Sequence, residues 1–420
     1  MRRNLVYLTL IISLIFSGCA RPDDGASIFA LPAETPEIIP TIPTGPVLAP
    51  GFQIIPDTLL VYGRGASDFF SETILSKGSV LASYSEIVDE ISLTGAEIVD
   101  KVAREYSVDP RLLLALLDYR SGWVQGSDTE NVSEYPLTND APSRTGLFRQ
   151  LSWAANELNR GFYSRRVGGL QGFSLANGTQ AQVSPGINDA SAAMQYVFGK
   201  MLGFKEWQAA VGPLGVYATY LSLFGEPFRV GSFPNLPEDL AQPELQLPFN
   251  EKESWFFTSG PHSAWGDGAA WAALDFAPDE DAFGCFDSLL WVTAVADGLV
   301  VRSADGQVIQ DLDGDGDEGT GWTILYMHIA SFERVSADDE LKAGDKIGHP
   351  SCEGGPSNGT HLHLARRFNG EWIPADQGIP FVLSGWISRG DGVEYDGSLN
   401  KGDFEVTASG FPTDENKITP

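Results

Sequence analysis

The chain is 420 residues long and 43% hydrophobic, enough apolar material for more than one packed core. Its 56 acidic residues against 27 basic ones leave a net charge of −29, which argues against nucleic acid as a partner. Such acidity favours solubility and names no substrate.

At the start, Arg2 and Arg3 precede an apolar run from Leu5 to Phe16 that closes on Ser17-Gly18-Cys19. A basic start, a short apolar stretch and small residues are the parts of a secretion signal, and the run is short for a membrane span. A Cys after Ser-Gly resembles the lipobox of bacterial lipoproteins, with Phe16 where Leu is usual. That resemblance implies a signal peptide over residues 1–18 and a lipidated Cys19. The body would then be held to the membrane by lipid, outside the cytoplasm, in a bacterial cell envelope. An uncleaved N-terminal anchor is the alternative, and it leaves the body in the same place. Residues 19–54, punctuated by Pro22, Pro32, Pro36, Pro40, Pro43, Pro46 and Pro50, read as an extended tether.

Residues 55–235 read as an all-α domain. Thr94-Gly95-Ala96-Glu97 is a capping-box pattern, with Ile98, Val102 and Tyr106 following at helical spacing. Asp109-Pro110 then opens a second helix, apolar all round from Leu112 to Leu117 and so expected in a core. The run from Val108 through Leu117 into Arg120-Ser121-Gly122 resembles the start of lysozyme-like lytic transglycosylase domains. Those carry a catalytic Glu before the Ser. Here Arg120 stands in that place, and a guanidinium cannot act as a general acid. Asp118 lies about 200° away around the helix. The expectation is a non-catalytic module that holds glycan strands or serves the structure. Asp118, Glu105 or Glu130 facing a deep cleft would revive a glycan-cleaving reading.

A second proline cluster, Pro234, Pro237, Pro243 and Pro248, marks a linker at 236–250 ahead of a mostly antiparallel β domain over 251–400, with 401–420 as a C-terminal tail. Trp291–Val301 and Trp322–His328 have the β-branched and aromatic content of strands. Between them, Asp311, Asp313, Asp315 and Asp317 alternate, with Gly316 at the sixth position, like the first half of a calcium loop. Trp322 occupies the twelfth position, where an EF-hand has Glu. The alternatives are calcium completed by another segment and a solvated acidic turn.

All five histidines lie beyond Pro261. In an extended segment, His361 and His363 point to one side while Leu362 and Leu364 pack on the other. Paired imidazoles suit zinc, and a catalytic zinc site uses three protein ligands, which His262, Asp275 and His363 supply. A single histidine is more often a satisfied core or surface residue, and His349 is the candidate for that role.

The surrounding residues, roughly 249–380, resemble the M23 metallopeptidases of the LytM and lysostaphin type, in the LasA-like subgroup with a long loop after the first ligand. The resemblance is carried by Gly260-Pro261-His262, Leu274-Asp275-Phe276, Val295–Val300, Leu325-Tyr326-Met327-His328-Ile329, Lys342–Gly348 and Gly355–His363. It implies His262, Asp275 and His363 as zinc ligands, with His328 and His361 as catalytic residues beside a bound water. It also implies a peptidase acting on peptidoglycan. Ala365 departs from the family, which often has an acidic residue there. A non-enzymatic protein that binds the wall or activates another hydrolase is the main rival, but such degenerate domains lack ligands that this chain keeps. If Cys19 is lipidated, Cys285 and Cys352 remain as an even pair, and an oxidising compartment would let them join.

Overall fold

The computed structural model describes residues 45–418, apart from 128–131, 139–140, 230–234 and 251. The expected signal peptide, Cys19 and most of the tether lie outside the described residues. Among those described, no helix is long and apolar enough to cross a membrane.

Helix α1 (Gly95–Tyr106) starts at the expected capping box, where the Thr94 N–H donates to Glu97 Oε2 at 2.8 Å and the Glu97 N–H donates to Thr94 Oγ1 at 3.3 Å. Helix α2 (Pro110–Ser121) is capped by Asp109 with Pro110 in its first turn, and Leu112–Leu117 are all buried. Helices α3 (Leu147–Arg166), α4 (Asp189–Met201), α5 (Phe204–Ala210) and α6 (Val216–Phe224) follow, and a single helical turn, Val80–Ser83, precedes α1.

This part is helical but not all-α. Val47–Leu48 pairs in parallel with Gln180–Gln182, which pairs antiparallel with Gly172–Ser174, and Ser85–Val88 forms a hairpin with Ile91–Thr94. In the short strands one buried residue, Phe173 or Ala181, sits between two exposed ones, too brief an alternation to stand out in the sequence. The last residues of the expected tether belong to this part, because Val47–Leu48 is a paired strand and Ala49 and Ile54 are buried.

The β part is built on a nine-stranded antiparallel sheet. Its main strands are β1 (Trp255–His262), β2 (Ala273–Pro278), β3 (Gly298–Ala304), β4 (Gln307–Asp311), β5 (Trp322–Met327), β6 (Glu340–Leu341), β7 (Leu362–Phe368) and β8 (Lys417–Ile418). They run in the order β6-β3-β4-β5-β7-β2-β1-β8, with Glu371–Trp372 added beside β7. The expected Trp291–Val301 strand is split, into Val292–Thr293 in a separate two-stranded ladder and β3 in the large sheet. The expected C-terminal tail is part of the fold: Lys417 and Ile418 pair with Phe256 and Trp255, and Phe404–Thr407 ends a four-stranded meander. Burial of Ile418 and Val406 accounts for this order.

Alternation along the central strands divides the sheet's two faces. Leu362, Leu364, Leu274, Phe276, Ile324 and Tyr326 enter one core, which the meander closes with Phe381, Leu383 and Trp386. On the opposite face, Ala273, Ala365, Leu325, Met327 and Ile309 join the core of the helical part. The helical part therefore packs directly on the sheet face that also carries His363 and Asp275.

A buried ion cluster fastens this junction. Glu318 Oε2 accepts from Arg302 Nη2 at 3.1 Å and from Arg367 Nη2 at 2.5 Å. Arg367 Nη1 donates to Ser107 Oγ, which donates to the Gly370 carbonyl. Burial would raise the Glu318 carboxyl, but the two guanidinium groups prevail and hold it at about 2, against an ordinary 4.5. With the folded value depressed, this stabilisation is complete above about pH 4.5 and is lost as pH falls towards 2. Glu318→Gln is expected to cost about 3 kcal/mol at pH 7, since it leaves the buried Arg367 and the half-buried Arg302 short of a partner. Denaturant unfolding of both proteins at pH 7 and pH 3 checks this, and the gap between them should narrow at the lower pH.

Candidate metal centre

Register places the central pair of ligands. His363 on β7 lies directly opposite Asp275 on β2, and both side chains rise on the same face. His262 reaches them from β1 through two irregularities in its pairing with β2, between Phe257 and Ser259 and between Ser259 and His262. Gly260 permits this path: its N–H donates to the Tyr395 carbonyl at 2.6 Å, and a Cβ there would stand 2.4 Å from the Asp396 carbonyl oxygen.

The three donor atoms form a tight triangle. His262 Nε2 is 3.0 Å from His363 Nδ1, and each is 3.2 Å from Asp275 Oδ1. The tautomers follow from the outer nitrogens: His262 Nδ1 donates to the Gly260 carbonyl at 2.8 Å, and His363 Nε2 donates to the Ala264 carbonyl at 3.1 Å. A carbonyl only accepts, so in their neutral form, the one a metal needs, the rings turn two lone pairs towards one carboxylate oxygen. Asp275 Oδ1 is buried and has no hydrogen-bond partner. Three lone pairs at this spacing repel unless a cation sits among them. Tetrahedral zinc, bonded at about 2.0–2.1 Å, holds its ligand atoms about 3.3 Å apart. The donor set and its geometry fit zinc.

His361 and His328 stand beside the triangle. His361 Nδ1 donates to the Gly359 carbonyl at 2.8 Å, and its Nε2 lies 3.7 Å from Asp275 Oδ2. His328 follows the end of β5 in a left-handed conformation (φ 67°), with Nδ1 donating to the Glu353 carbonyl at 2.8 Å. The two rings are 4.5 Å apart. Burial first, then the neighbouring His361 and His363, push the His328 imidazole down to about 3, so the ring is neutral. Asp275 is held well below the usual carboxylate range: burial opposes ionisation, but His262 and His361 outweigh it.

The remaining sequence candidates separate clearly. His349 donates from Nδ1 to the Leu290 carbonyl and packs between Trp291 and Phe332, away from the triangle. Asp311, Asp313 and Asp315 bring carboxylate oxygens within 4.8 Å of one another, while Asp317 accepts from the Gly319 N–H. Loop N–H groups of Asp313 and Gly316 bond Asp311, that of Asp317 bonds Asp315, and these bonds account for the turn; nothing further points to calcium. Asp118 caps the end of α2 by accepting from the Val124 and Gln125 N–H groups, Arg120 donates to the Leu137 carbonyl, and Glu105 pairs with Lys101 at 2.7 Å. A cavity of about 950 Å³ between α3, the linker and the Glu371–Ile379 segment has neither Asp118 nor Glu105 in its walls, and Glu130 lies outside the described residues. The glycan-cleaving reading gains nothing from this arrangement.

Two neighbours of the triangle escaped the sequence reading. The Tyr395 ring stacks on His262 at 4.8 Å, and Glu394 Oε1 accepts from the Ser263 N–H. Both come from a loop within the C-terminal meander that carries no motif. The long loop after His262 also proves to be held by the helical part. Asn156 on α3 accepts at Oδ1 from the Asp267 and Gly268 N–H groups and donates to Asp267 Oδ1, while Arg160 reaches the same carboxylate at 2.7 Å. A Cβ on Gly268 would stand 2.1 Å from the Asn156 carbonyl oxygen, so this close approach requires glycine.

Cys285 and Cys352 form a disulfide with Cα atoms 5.6 Å apart. Comparison with known proteins agrees with this architecture. Residues 53–237 match the LasA N-terminal domain and residues 287–374 match peptidase family M23. The latter stretch includes His328, His361 and His363, whereas His262 and Asp275 precede it. The chain is similar to Protease LasA of Pseudomonas aeruginosa, 28% identical over 399 residues that cover 89% of this chain and 86% of the relative. Among solved structures it is similar to the M23 metalloprotease pseudoalterin, with 21% identity, a TM-score of 0.32 and coverage of 40% of this chain and 96% of that one. It is also similar to the catalytic domain of lysostaphin from Staphylococcus simulans, with 22% identity, a TM-score of 0.21 and coverage of 29% and 89%. The chain thus carries a peptidase family M23 domain behind a LasA N-terminal domain.

Proposed function

We propose that this chain is a zinc-dependent endopeptidase that hydrolyses peptide bonds in the stem or cross-bridge of peptidoglycan. On this reading it is exported and held to the membrane, outside the cytoplasm, through Cys19. The observation that carries the enzymatic reading is the buried triangle of His262 Nε2, His363 Nδ1 and the unpartnered Asp275 Oδ1. The wall substrate rests on the M23 resemblance, and export rests on the lipobox-like start of the sequence.

Zinc held by these three residues supplies a Lewis acid and a water acidified to near neutral pH. The chain's own part is proton handling and orientation. His328 and His361 both commit Nδ1–H to a backbone carbonyl, which leaves each Nε2 free to take a proton from water or to face the developing oxyanion. Asp275 Oδ2 lies 3.7 Å from His361 Nε2, so the carboxylate faces the free nitrogen of that ring.

The test is zinc content together with release of soluble muropeptides from purified peptidoglycan. Zinc near one per chain with new peptide ends supports the reading. Zinc bound without cleavage of several wall types, once the helical part has been displaced, would favour a recruiting or activating role instead.

That displacement matters because the helical part shares the site's face of the sheet and grips the loop after His262. Asn156→Ala removes three side-chain bonds to that loop without touching the triangle. A loss of about 1.4 kcal/mol in grip raises the uncovered population about tenfold. The initial rate of muropeptide release by the full chain should rise accordingly, and an unchanged rate would show that this grip does not limit access.

A further inference from the structure

We propose that the Cys285–Cys352 disulfide is a positioning device for His328 and His361, and that its loss disables hydrolysis while leaving the metal site intact. The proposal rests on the endopeptidase reading above, and its test separates the two.

Both half-cystines sit in the middle of hydrogen-bonded brackets around the two histidines. Beside Cys352, the Ser351 N–H donates to the His328 carbonyl at 2.7 Å and Ser351 Oγ donates to the same oxygen at 3.1 Å. On the other side of Cys352, the Glu353 carbonyl accepts from His328 Nδ1. His328 is thus held at backbone and ring by the two residues flanking one cysteine, in a left-handed conformation that a β-strand does not impose. The His361 N–H is within 3.4 Å of the Ser351 carbonyl, so the same segment touches both histidines.

Cys285 does the corresponding work for the approach to His361. The Gly284 carbonyl accepts from the Thr360 N–H at 2.9 Å, and Thr360 Oγ1 donates to the Phe286 carbonyl and accepts from the Phe286 N–H. Thr360 precedes His361 directly, and Gly359, whose carbonyl fixes the His361 tautomer, precedes Thr360. The bridge fastens these two brackets across 67 residues of sequence. His262, Asp275 and His363 need neither bracket: they are set by the pairing of β1, β2 and β7 and by the Gly260 and Ala264 carbonyls. The disulfide therefore divides the site, acting on the proton-handling pair and not on the ligands.

Replacing both cysteines, Cys285→Ala with Cys352→Ala, tests this in the full chain without a thiol reductant that would compete for zinc. The expected result is a kcat lower by about 10–100-fold, the size typical of lost outer-shell contacts, with KM and zinc content near those of the parent. Long-range nitrogen-15 spectra of the imidazoles give a second readout. His328 and His361 should change from a fixed Nδ1–H tautomer to a mixture, while His262 and His363 keep theirs. Thr360→Val retains the bridge but removes the hydroxyl clasp, so it should lower kcat in the same direction even if the double variant folds poorly. Unchanged kcat and tautomers in both variants would overturn the proposal. So would zinc lost in parallel with activity, which would make the bridge a general support of the fold. A parent chain that cleaves no wall would defeat the endopeptidase reading instead, and the spectra would still decide whether the brackets depend on the bridge.

Discussion

His363→Ala should lose zinc and wall cleavage together. His363 is the middle member of the triangle, 3.0 Å from His262 and 3.2 Å from Asp275 through one nitrogen. Without it, one imidazole and one carboxylate remain, too few for the three-protein-ligand arrangement of a catalytic zinc. The isolated pair has another way to settle, because His262 is already pushed towards its charged form: burial opposes this, but Asp275 and the Gly260 carbonyl outweigh it. A protonated His262 beside Asp275 then competes with metal for the same lone pairs. Zinc measured after dialysis should fall from about one per chain to near none, with muropeptide release at background. A variant that keeps stoichiometric zinc would remove His363 from the ligand set.

His328→Ala should have the second largest effect and the opposite metal signature. The His328 ring centre is 6.2 Å from that of His363, and no His328 nitrogen belongs to the triangle. Zinc should be retained. Cleavage should fall by about 10²–10⁴-fold, the usual contribution of a placed proton-transfer group. Equal loss of zinc from both variants would contradict the division between ligands and proton-handling residues.

What the sequence made legible follows from how short the governing rules are. The strand period alone put His361 and His363 on one face with Leu362 and Leu364 opposite, and the capping chemistry of Thr94-Glu97 and Asp109-Pro110 placed the starts of α1 and α2. These rules act over two to four residues. The features that escaped depend on contacts between distant segments. Tyr395 and Glu394 reach His262 and Ser263 across more than 130 residues, and Asn156 reads the backbone of a loop 111 residues away. Lys417 and Ile418 carry no strand signature of their own and are ordered by Phe256 and Trp255. The expectation of an all-α first domain failed at strands of two to four residues, too short to show a period, one of which, Val47–Leu48, draws its register from Ala181 and Gln182 far along the chain.

The opposition of His363 and Asp275 across β7 and β2 has one more consequence. Because alternate residues of a strand face opposite ways, a slip of one position between these neighbours would send the imidazole among Leu274 and Phe276 and bring Leu362 or Leu364 out in its place. No partly assembled ligand set exists between the two alignments. A chain that captures zinc has therefore already settled the alignment of its three central strands, so the metal would act as a proofreader of the sheet, retained by the correct alignment and refused by its nearest misfolded competitor.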